Sequence, residues 1–292
     1  MKEINIFCFG FGQVAKYFIN NLSKKYRINL SITSREKSQK KEIFGINYNN
    51  YQFIDDNFDK EIFNKIKNYD HILVSIPPKK GIDLVLKNFS QIITETKVNW
   101  ITYLSATSVY GDHKGGWVDE LSELNPSTEN GKSRLKAEKK WIEFCSAKKI
   151  PIQIFRLSGI YSQENNIFKR IKSGLQKIVN KPNHFFSRIH VEDIANILEI
   201  TLEKNKLKSG EIYNLSDDYP CSNIELANYA YDLIKIPKPQ MVEVNAIESD
   251  MLRNFYKDSK KVSNKKIKNT FSYKLKFPTY KEGLSEIFNH FV

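Results

Sequence analysis

Cysteine is scarce in this chain, and the three that it has, Cys8, Cys145 and Cys221, lie far apart. An odd number of widely spaced thiols argues against a disulfide framework or a zinc cluster and for a reducing compartment. The five histidines are also isolated, and none follows another at the i, i+4 spacing of a metal-binding helix. We therefore expect free thiols, no metal site and a cytoplasmic location.

Long apolar runs are missing as well. No uninterrupted stretch approaches the roughly 20 residues that a membrane-spanning helix requires. The polar residues Glu3 and Asn5 interrupt the first segment, and no A-x-A-like cleavage site follows it, so we expect no signal peptide. We therefore predict that the protein has no membrane partner.

Arginine is rare for so basic a chain: the formal net charge is +13, yet only seven of the 46 Lys and Arg residues are arginines. Lysine is less suited than arginine to forked recognition of phosphate or base edges. The lysines are spread along the chain, and no helical segment shows a basic stripe interleaved with aromatic residues. We interpret the charge as a solvated surface and predict no nucleic-acid partner.

What the chain does have is an alternation of short apolar runs and helical patterns, which is typical of βαβ units and a parallel sheet. The predicted strands are 4–9, 28–33, 52–54, 71–76, 100–105, 152–157 and 212–215, and the predicted helices are 13–24, 60–68, 81–95, 131–148 and 222–234. The predicted fold is α/β, a Rossmann-like doubly wound parallel sheet over residues 1–158 with a smaller C-terminal substrate lobe. This lobe, 159–292, is expected to be partly interleaved with the sheet.

A glycine turn separates the first strand from the first helix, with Gly10-x-Gly12-x-x-Ala15 between them. The first glycine permits the tight turn, the second lets backbone N–H groups approach a pyrophosphate, and Ala15 lets the helix pack closely. We predict that Gly10, Gly12, Gln13 and Val14 bind a dinucleotide. The alternative is a glycine-rich turn without a ligand.

The end of the second strand distinguishes NADP from NAD. An acidic residue there would bind the ribose 2′-OH of NAD, but Arg35 stands at the expected distance, and a guanidinium suits a 2′-phosphate. Ser34 could add a hydroxyl donor. We predict NADP, while Glu36 leaves NAD open and an exposed surface arginine remains the structural alternative.

Four further segments, read in order, resemble the extended short-chain dehydrogenase/reductase superfamily, the NAD(P)-dependent epimerases and dehydratases. They are YLSATSVYG (103–111), FRLSGIY (155–161), SRIHVEDIA (187–195) and YNLSD (213–217). The tail from 261 to 283 is similar to an atypical subgroup of that superfamily. The resemblance covers most of the chain and implies the fold more specifically than a reaction.

The catalytic residues that the resemblance implies are replaced. Ala106 stands at the position of the assisting hydroxyl, and Asn130 and Arg134 stand at the positions of the Tyr-x-x-x-Lys pair. An asparagine amide has no proton to exchange near neutral pH, so the ordinary mechanism is absent or rebuilt. The candidates for rebuilding are Thr107 and Tyr110, although Tyr110 is more often a packing residue in this superfamily.

Asp112 and His113 follow and could form an acid/base couple, with a solvated loop histidine as the alternative.

The resemblance also implies further ligand contacts. Asp55 (or Asp56) would meet the adenine amino group, and Ser75, Ile76 and Pro77 would pass the cofactor ribose. Arg134 could still bind a ribose hydroxyl. Arg188 would contact the phosphate of a nucleotide-linked substrate, unless it simply pairs with Asp193.

The resulting hypothesis is an NADP(H)-binding protein of the epimerase/dehydratase type, with oxidoreductase or isomerase chemistry on a small polar or nucleotide-linked substrate. The alternative is a non-catalytic NADP(H)-binding redox sensor or regulatory module. The sequence leaves open whether the chain is an enzyme. It also leaves open a homodimer, in which helices 81–95 and 131–148 could pair.

Overall fold

The structure, a computed structural model, describes residues 1–174, 177–203, 209–247, 253 and 256–290. Its helices are α1 (Gln13–Ser23), α2 (Ile62–Lys65), α3 (Leu84–Thr94), α4 (Glu129–Lys148), α5 (Ile167–Lys172), α6 (Val191–Glu203), α7 (Asn223–Ile234), α8 (Lys265–Phe271) and α9 (Tyr280–Asn289). Short 3-10 turns cover 66–68, 107–110 and 244–246.

The strands are β1 (Glu3–Phe9), β2 (Arg27–Ser34), β3 (Gln39–Ile43), β4 (Ile46–Ile54), β5 (Asn57–Phe58), β6 (His71–Val74), β7 (Trp100–Ala106), β8 (Trp117–Val118), β9 (Ile152–Leu157), β10 (Gly159–Tyr161), β11 (Lys177–Asn180), β12 (Arg188–His190), β13 (Glu211–Leu215), β14 (Gln240–Glu243) and β15 (Lys261–Val262).

The central sheet has the strand order β13-β9-β7-β6-β1-β2-β4-β3. Strand β1 pairs in parallel with both β2 and β6, so the order reverses on either side of β1. In doubly wound sheets this reversal opens a crevice at the carboxyl ends of the strands, where ligands bind. The α/β, Rossmann-like fold class is confirmed.

One edge of this sheet departs from the prediction, which placed only residues 52–54 in a strand. Strands β3 and β4 form an antiparallel hairpin in which Ile43 pairs with Ile46. Phe44 and Gly45 both have positive φ, 53° and 72°, as a two-residue primed turn requires. The usual sequence signal for such a turn is Asn-Gly or Asp-Gly, and Phe-Gly does not carry it.

The chain divides into two compact units. Unit 1 comprises 1–106, 132–156 and 194–213, and its core is rich in stacked and edge-on aromatic rings, including Phe9, Phe53 and Phe89. It also contains a buried ion pair between Arg156 and Glu138, with Nη2 and Oε2 2.8 Å apart.

Unit 2 comprises 107–131, 157–193 and 214–292. Helices α5, α7 and α9 supply its core around Tyr161 and Cys221. The parallel pairs β10–β12, β11–β14 and β8–β15 form three small sheets.

Most predicted elements are present with shifted ends. The predicted helix at 222–234 begins at Asn223, because the Ser222 hydroxyl caps it by accepting from the Glu225 N–H at 3.0 Å. The predicted helix at 60–68 is only the short α2 followed by a 3-10 turn. In the described part of the chain, no helix combines the length and the apolar character needed to cross a membrane.

Candidate functional site

The glycine turn after β1 is held in place by two hydroxyl side chains. Gly10 has φ +87°, and its N–H donates to the Thr33 hydroxyl at 3.0 Å. A Cβ on Gly10 would lie 2.6 Å from the Ser75 hydroxyl oxygen, so only glycine fits without a shift. The turn therefore has a fixed shape that the sequence pattern alone did not specify.

Gly12 has the opposite surroundings. It is the N-cap of α1, provides no side-chain cap, and an added Cβ there would meet no heavy atom within 4 Å. The positive end of α1 thus begins beside open space, which is the arrangement that favours a bound anion. Ala15 is fully buried, as close helix packing requires.

Most of the predicted cofactor residues of unit 1 lie at one edge of the central sheet. Strands β6, β1, β2 and β4 are adjacent and parallel, so their carboxyl ends meet at that edge. The residues that follow these ends are Gly10 after β1, Ser34 and Arg35 at the end of β2, Asp55 after β4, and Ser75, Ile76 and Pro77 after β6. The fold brings to one edge residues that are up to 67 positions apart in the sequence.

Arg35 is exposed, and among the described residues its guanidinium has no hydrogen bond or ion pair. Only its backbone carbonyl is engaged, accepting from the Gln52 amide at 3.2 Å. Glu36, by contrast, forms an ion pair with Lys41. The cation at the end of β2 is therefore available, while the neighbouring carboxylate already has a partner.

The carboxylates after β4 are also paired. Asp55 forms an ion pair with Lys79 at 2.7 Å, and Asp56 forms one with Lys87 at 2.7 Å. Lys87 holds the pKa of Asp56 below its usual value by hydrogen bonding. Binding of an adenine amino group by Asp55 would compete with Lys79, although both side chains are largely exposed.

Asn130 and Arg134 lie on the first turns of α4, with Asn130 exposed. The Arg134 guanidinium donates to the carbonyl oxygen of Leu104 in β7 at 2.6 Å. Arg134 therefore fixes the end of α4 to the sheet. Nothing in this arrangement restores the proton-exchanging function of a tyrosine.

The catalytic candidates of unit 2 occupy the 3-10 turn 107–110. Thr107 is half-buried, whereas Tyr110 is fully buried and its hydroxyl donates to Asn214 Oδ1 at 2.7 Å. This environment supports the packing alternative for Tyr110.

Asp112 and His113 do not form a couple. Asp112 accepts from the Ser259 and Lys114 N–H groups at 2.8 and 3.0 Å, while His113 Nε2 lies 3.2 Å from the Tyr110 carbonyl oxygen. Burial alone would raise the pKa of Asp112, but these hydrogen bonds bring it below its usual value.

Arg188 does not pair with Asp193, so the structural alternative for this residue is wrong. Asp193 instead accepts from the Tyr273 hydroxyl at 2.7 Å and from the N–H groups of Lys276 and Phe277 at 2.7 and 3.0 Å. These three donors use both carboxylate oxygens. The guanidinium of Arg188 is consequently left with other partners.

Those partners are neutral. Arg188 is 6% exposed and donates to the carbonyl oxygens of Phe186 and Cys221, at 3.0 and 3.3 Å, and to Asn223. No carboxylate of the described residues lies within ion-pair distance of it. The Arg188 charge acts on Asp217, whose pKa burial raises well above its usual value and this charge lowers only in part.

Arg188 lines a cavity of about 310 Å³ within unit 2, together with Arg170, Lys177, Asn166, Asn223 and Tyr256. Apolar walls such as Ile178 and Leu226 complete it, and no carboxylate is among the lining residues. Burial and the positive charge of Arg188 lower the pKa of Arg170. The cavity therefore combines several positive charges with an apolar interior.

Sequence reasoning identified Arg188 but not Arg170 or Lys177. Arg170 belongs to a helix of six residues, and Lys177 begins a short strand, so neither stood in a recognisable motif. Nor do the described residues contain a group of three or more His, Cys, Asp or Glu side chains that could hold a metal ion. The three cysteines are free and buried.

Comparison with known proteins gives a family match over the middle of the chain. Residues 85–216 match the model of the NAD dependent epimerase/dehydratase family. No curated protein matches the sequence significantly. A solved structure of a functionally unknown conserved protein from Silicibacter pomeroyi is 30% identical, with a TM-score of 0.84, and the match covers 98% of both chains.

Two more distant structures share the fold. The UDP-glucuronic acid 4-epimerase of Bacillus cereus, solved with NAD, is 14% identical with a TM-score of 0.77, covering 99% of this chain and 100% of that one. The dTDP-glucose 4,6-dehydratase of Bacillus anthracis, also solved with NAD, is 16% identical with a TM-score of 0.78, covering 99% and 96%. These two structures show the fold alone. The match of residues 85–216 to the family model, together with the motifs and the sheet topology, shows that the chain belongs to the NAD dependent epimerase/dehydratase family.

Proposed function

We propose that this protein binds NADP(H) at the carboxyl edge of its central sheet and performs oxidoreductase or isomerase chemistry on a small anionic or nucleotide-linked molecule. The observation that carries the proposal is the glycine turn, in which Gly10 is fixed by Thr33 and Gly12 leaves open space before α1. A nicotinamide dinucleotide, when bound, accepts or supplies a hydride.

The residues at this edge fit such a cofactor. The diphosphate would lie at the first turn of α1, formed by Gln13 and Val14, where the helix dipole favours negative charge. The space over Gly12 admits the close approach of a phosphate that a larger side chain would prevent. Ser75, Ile76 and Pro77, with Arg134 and Asp55, remain the proposed contacts for ribose and adenine.

The proposed preference for NADP(H) depends on Arg35. A 2′-phosphate is a dianion, and a guanidinium without a competing carboxylate can bind it through two parallel hydrogen bonds. Glu36, the residue that could favour NAD(H), forms an ion pair with Lys41 instead. NAD is the cofactor found in the two distant structures named above, so the preference has to be measured directly.

Substitution of Arg35 tests this proposal. We expect Arg35→Ala to weaken NADPH binding by about 10- to 100-fold, the value of one or two charge-assisted hydrogen bonds, and to leave NADH binding unchanged. Fluorescence titration with each coenzyme measures both affinities. Arg27→Ala, at the opposite end of the same strand and also exposed, is the control. Equal NADPH and NADH affinities in the unaltered protein would overturn the NADP preference.

The cavity at Arg188 supports an anionic substrate. A buried guanidinium without a carboxylate partner is costly, and a phosphate or carboxylate group of a ligand would neutralise it. Arg170 and Lys177 add positive charge, while the apolar walls suit a less polar part of the same molecule. Nucleotide sugars, after which the epimerase and the dehydratase of the two distant structures are named, are one class with this chemistry, and small organic anions are another.

The second candidate function is a non-catalytic NADP(H)-binding module. The observation that favours it is the replacement of the Tyr-x-x-x-Lys pair by Asn130 and Arg134, with Arg134 engaged by Leu104. Oxidation of NADPH with a panel of carbonyl compounds separates the two functions, because a module binds the coenzyme without turnover.

We also propose a cytoplasmic location, which is supported by three buried free thiols. A homodimer through α3 and α4 stays a prediction.

A further inference from the structure

A second, smaller cavity of about 120 Å³ lies within unit 2, beside the residues that follow β7. Its lining includes Thr107, Ser108, Phe186, Ser187, Asp258 and Lys260. We propose that Lys260 is the catalytic acid/base of this cavity and exchanges a proton with a carbonyl or hydroxyl oxygen of a small ligand held beside Thr107.

Lys260 is placed for such an exchange by two contacts. Its side chain is 12% exposed, and its ammonium donates to the Gly111 carbonyl oxygen at 2.8 Å and lies 3.5 Å from Asp258 Oδ2. An ammonium has three N–H groups, so these two acceptors leave one for a ligand in the cavity that Lys260 lines. Asp258 is itself oriented by the Ser127 hydroxyl, which donates to its other oxygen at 2.5 Å.

The charges around Lys260 come from three parts of unit 2. Asp258 precedes it, Asp112 faces it from the loop after the 3-10 turn, and Lys181 and His184 belong to the segment before β12. Burial lowers the pKa of Lys260, and the two carboxylates raise it only in part. A lysine with a lowered pKa exchanges protons closer to neutral pH than a solvated one.

The size of the cavity limits what it can take. At about 120 Å³ it is less than half as large as the cavity of about 310 Å³ at Arg188, so it suits the reacting end of a ligand rather than a whole nucleotide-linked molecule. Phe186 also lines the larger cavity at Arg188, so the two cavities share a lining residue. A ligand that fits both cavities would have an anionic end at Arg188 and an oxygen-bearing carbon at Lys260.

This inference rests on the proposed function, in which the family's tyrosine is missing and a proton must be exchanged elsewhere. In the oxidative direction, the neutral amine of Lys260 takes the proton of a substrate hydroxyl. The O–H bond breaks while an N–H bond and the C=O bond form, and an oxidised nicotinamide coenzyme, when bound, would accept the hydride that leaves the carbon with its electron pair. In the reverse direction, the ammonium returns the proton to the oxygen.

Competitive acetylation tests Lys260 without any coenzyme. The intact protein is treated with trace acetic anhydride, a small carbonyl compound, between pH 6 and 11, and the modification of each lysine is followed by mass spectrometry. We expect Lys260 to react, with a midpoint at lower pH than exposed Lys257. An unreactive Lys260, or one with the midpoint of Lys257, would overturn the proposal whether or not NADPH binds.

Turnover provides the second arm. We expect Lys260→Arg, which keeps the charge and the hydrogen bond to Gly111, to retain thermal stability and NADPH affinity but to reduce turnover by about 100-fold or more. Lys257→Arg is the matched control, because it makes the same substitution at an exposed lysine. Full turnover in Lys260→Arg would refute the catalytic role. If the unaltered protein did not bind NADPH, only the proposed function would be refuted.

Discussion

Tyr110, a catalytic candidate in the sequence, is enclosed by other residues of the protein. The phenol is fully buried, and its hydroxyl donates to Asn214 Oδ1, so a substrate oxygen has no place beside it. Thr107, three residues earlier, lines the cavity of Lys260 instead. Two residues of one short turn thus have different environments, which neighbouring sequence letters do not reveal.

Replacing the phenol separates packing from catalysis. We expect Tyr110→Phe to lower the free energy of unfolding by about 1–2 kcal/mol, because the buried Asn214 amide oxygen loses its hydrogen-bond donor. NADPH affinity and any turnover should be unchanged. Urea unfolding and coenzyme titration measure the two effects, with Tyr219→Phe, at an exposed tyrosine, as the control. A loss of turnover at unchanged stability would instead support the catalytic reading.

Individual residues were predictable where a motif fixed their position. Arg35 follows from its spacing after the glycine turn, and Arg188 follows from the family resemblance. Lys260 lies 153 positions after Thr107 and belongs to none of the motifs, and only the fold brings the two residues to one cavity. Its significance depends on burial and on Asp258 and Gly111, which the sequence does not place around it.

Among the elements, the β1–α1 turn shows two glycines that are required for different reasons. Gly10 needs its positive φ and the space taken by Ser75, which are demands of the protein itself. Gly12 has an ordinary negative φ and open space in front of it, so the protein alone would accept a larger residue. The same substitution at the two positions should therefore give different results.

We expect Gly10→Ala to cost about 1–2 kcal/mol of stability and also to weaken NADPH binding, because the turn must shift. Gly12→Ala should leave the free energy of unfolding within about 0.5 kcal/mol of the original, yet weaken NADPH by tenfold or more by filling the diphosphate space. Thermal unfolding and fluorescence titration give both numbers. Unchanged NADPH affinity in Gly12→Ala would contradict the proposed cofactor position.

The elements that prediction located well have strong patterns. The apolar strands β1, β7 and β9 and the amphipathic helices α1 and α3 were placed to within about three residues. The β3–β4 hairpin was missed in part, because β3 is polar and largely exposed and its turn lacks the usual residues. Such strands are determined by backbone pairing with a neighbour rather than by burial of their own side chains.

At the scale of the whole molecule, burial of titratable groups links stability to pH. His184 and His190 in unit 2 are 1% and 2% exposed, and burial lowers the pKa of each to about 4. The unfolded chain binds these protons near pH 6.5 and the folded chain only near pH 4. Their contribution to stability is therefore complete above pH 6.5 and is lost as the pH falls towards 4.

We expect acidification across this range to lower the melting temperature of the unaltered protein more than that of His190→Gln, since each buried histidine contributes up to about 3 kcal/mol. Burial raises the pKa of Asp193 and of Asp217, so acidification stabilises the fold through these two groups. The effect of the histidines is therefore measured as the difference between His190→Gln and the unaltered protein. His290→Gln, at an exposed histidine, is the control. Identical pH dependence in His190→Gln and the unaltered protein would count against this explanation.

The hairpin has a consequence for protein engineering. Gln52 of β4 clamps the segment after β2 at two places: its side-chain amide donates to the Arg35 carbonyl oxygen, and its N–H donates to the Ser38 hydroxyl. The hydrogen bond to Arg35 uses only its main-chain carbonyl oxygen, so it does not depend on the side chain at position 35. Residues 35–37 can therefore be exchanged while Ser38 and Gln52 hold the loop in place. We therefore expect that exchanging residues 35–37 alone changes the coenzyme preference and leaves the fold unchanged.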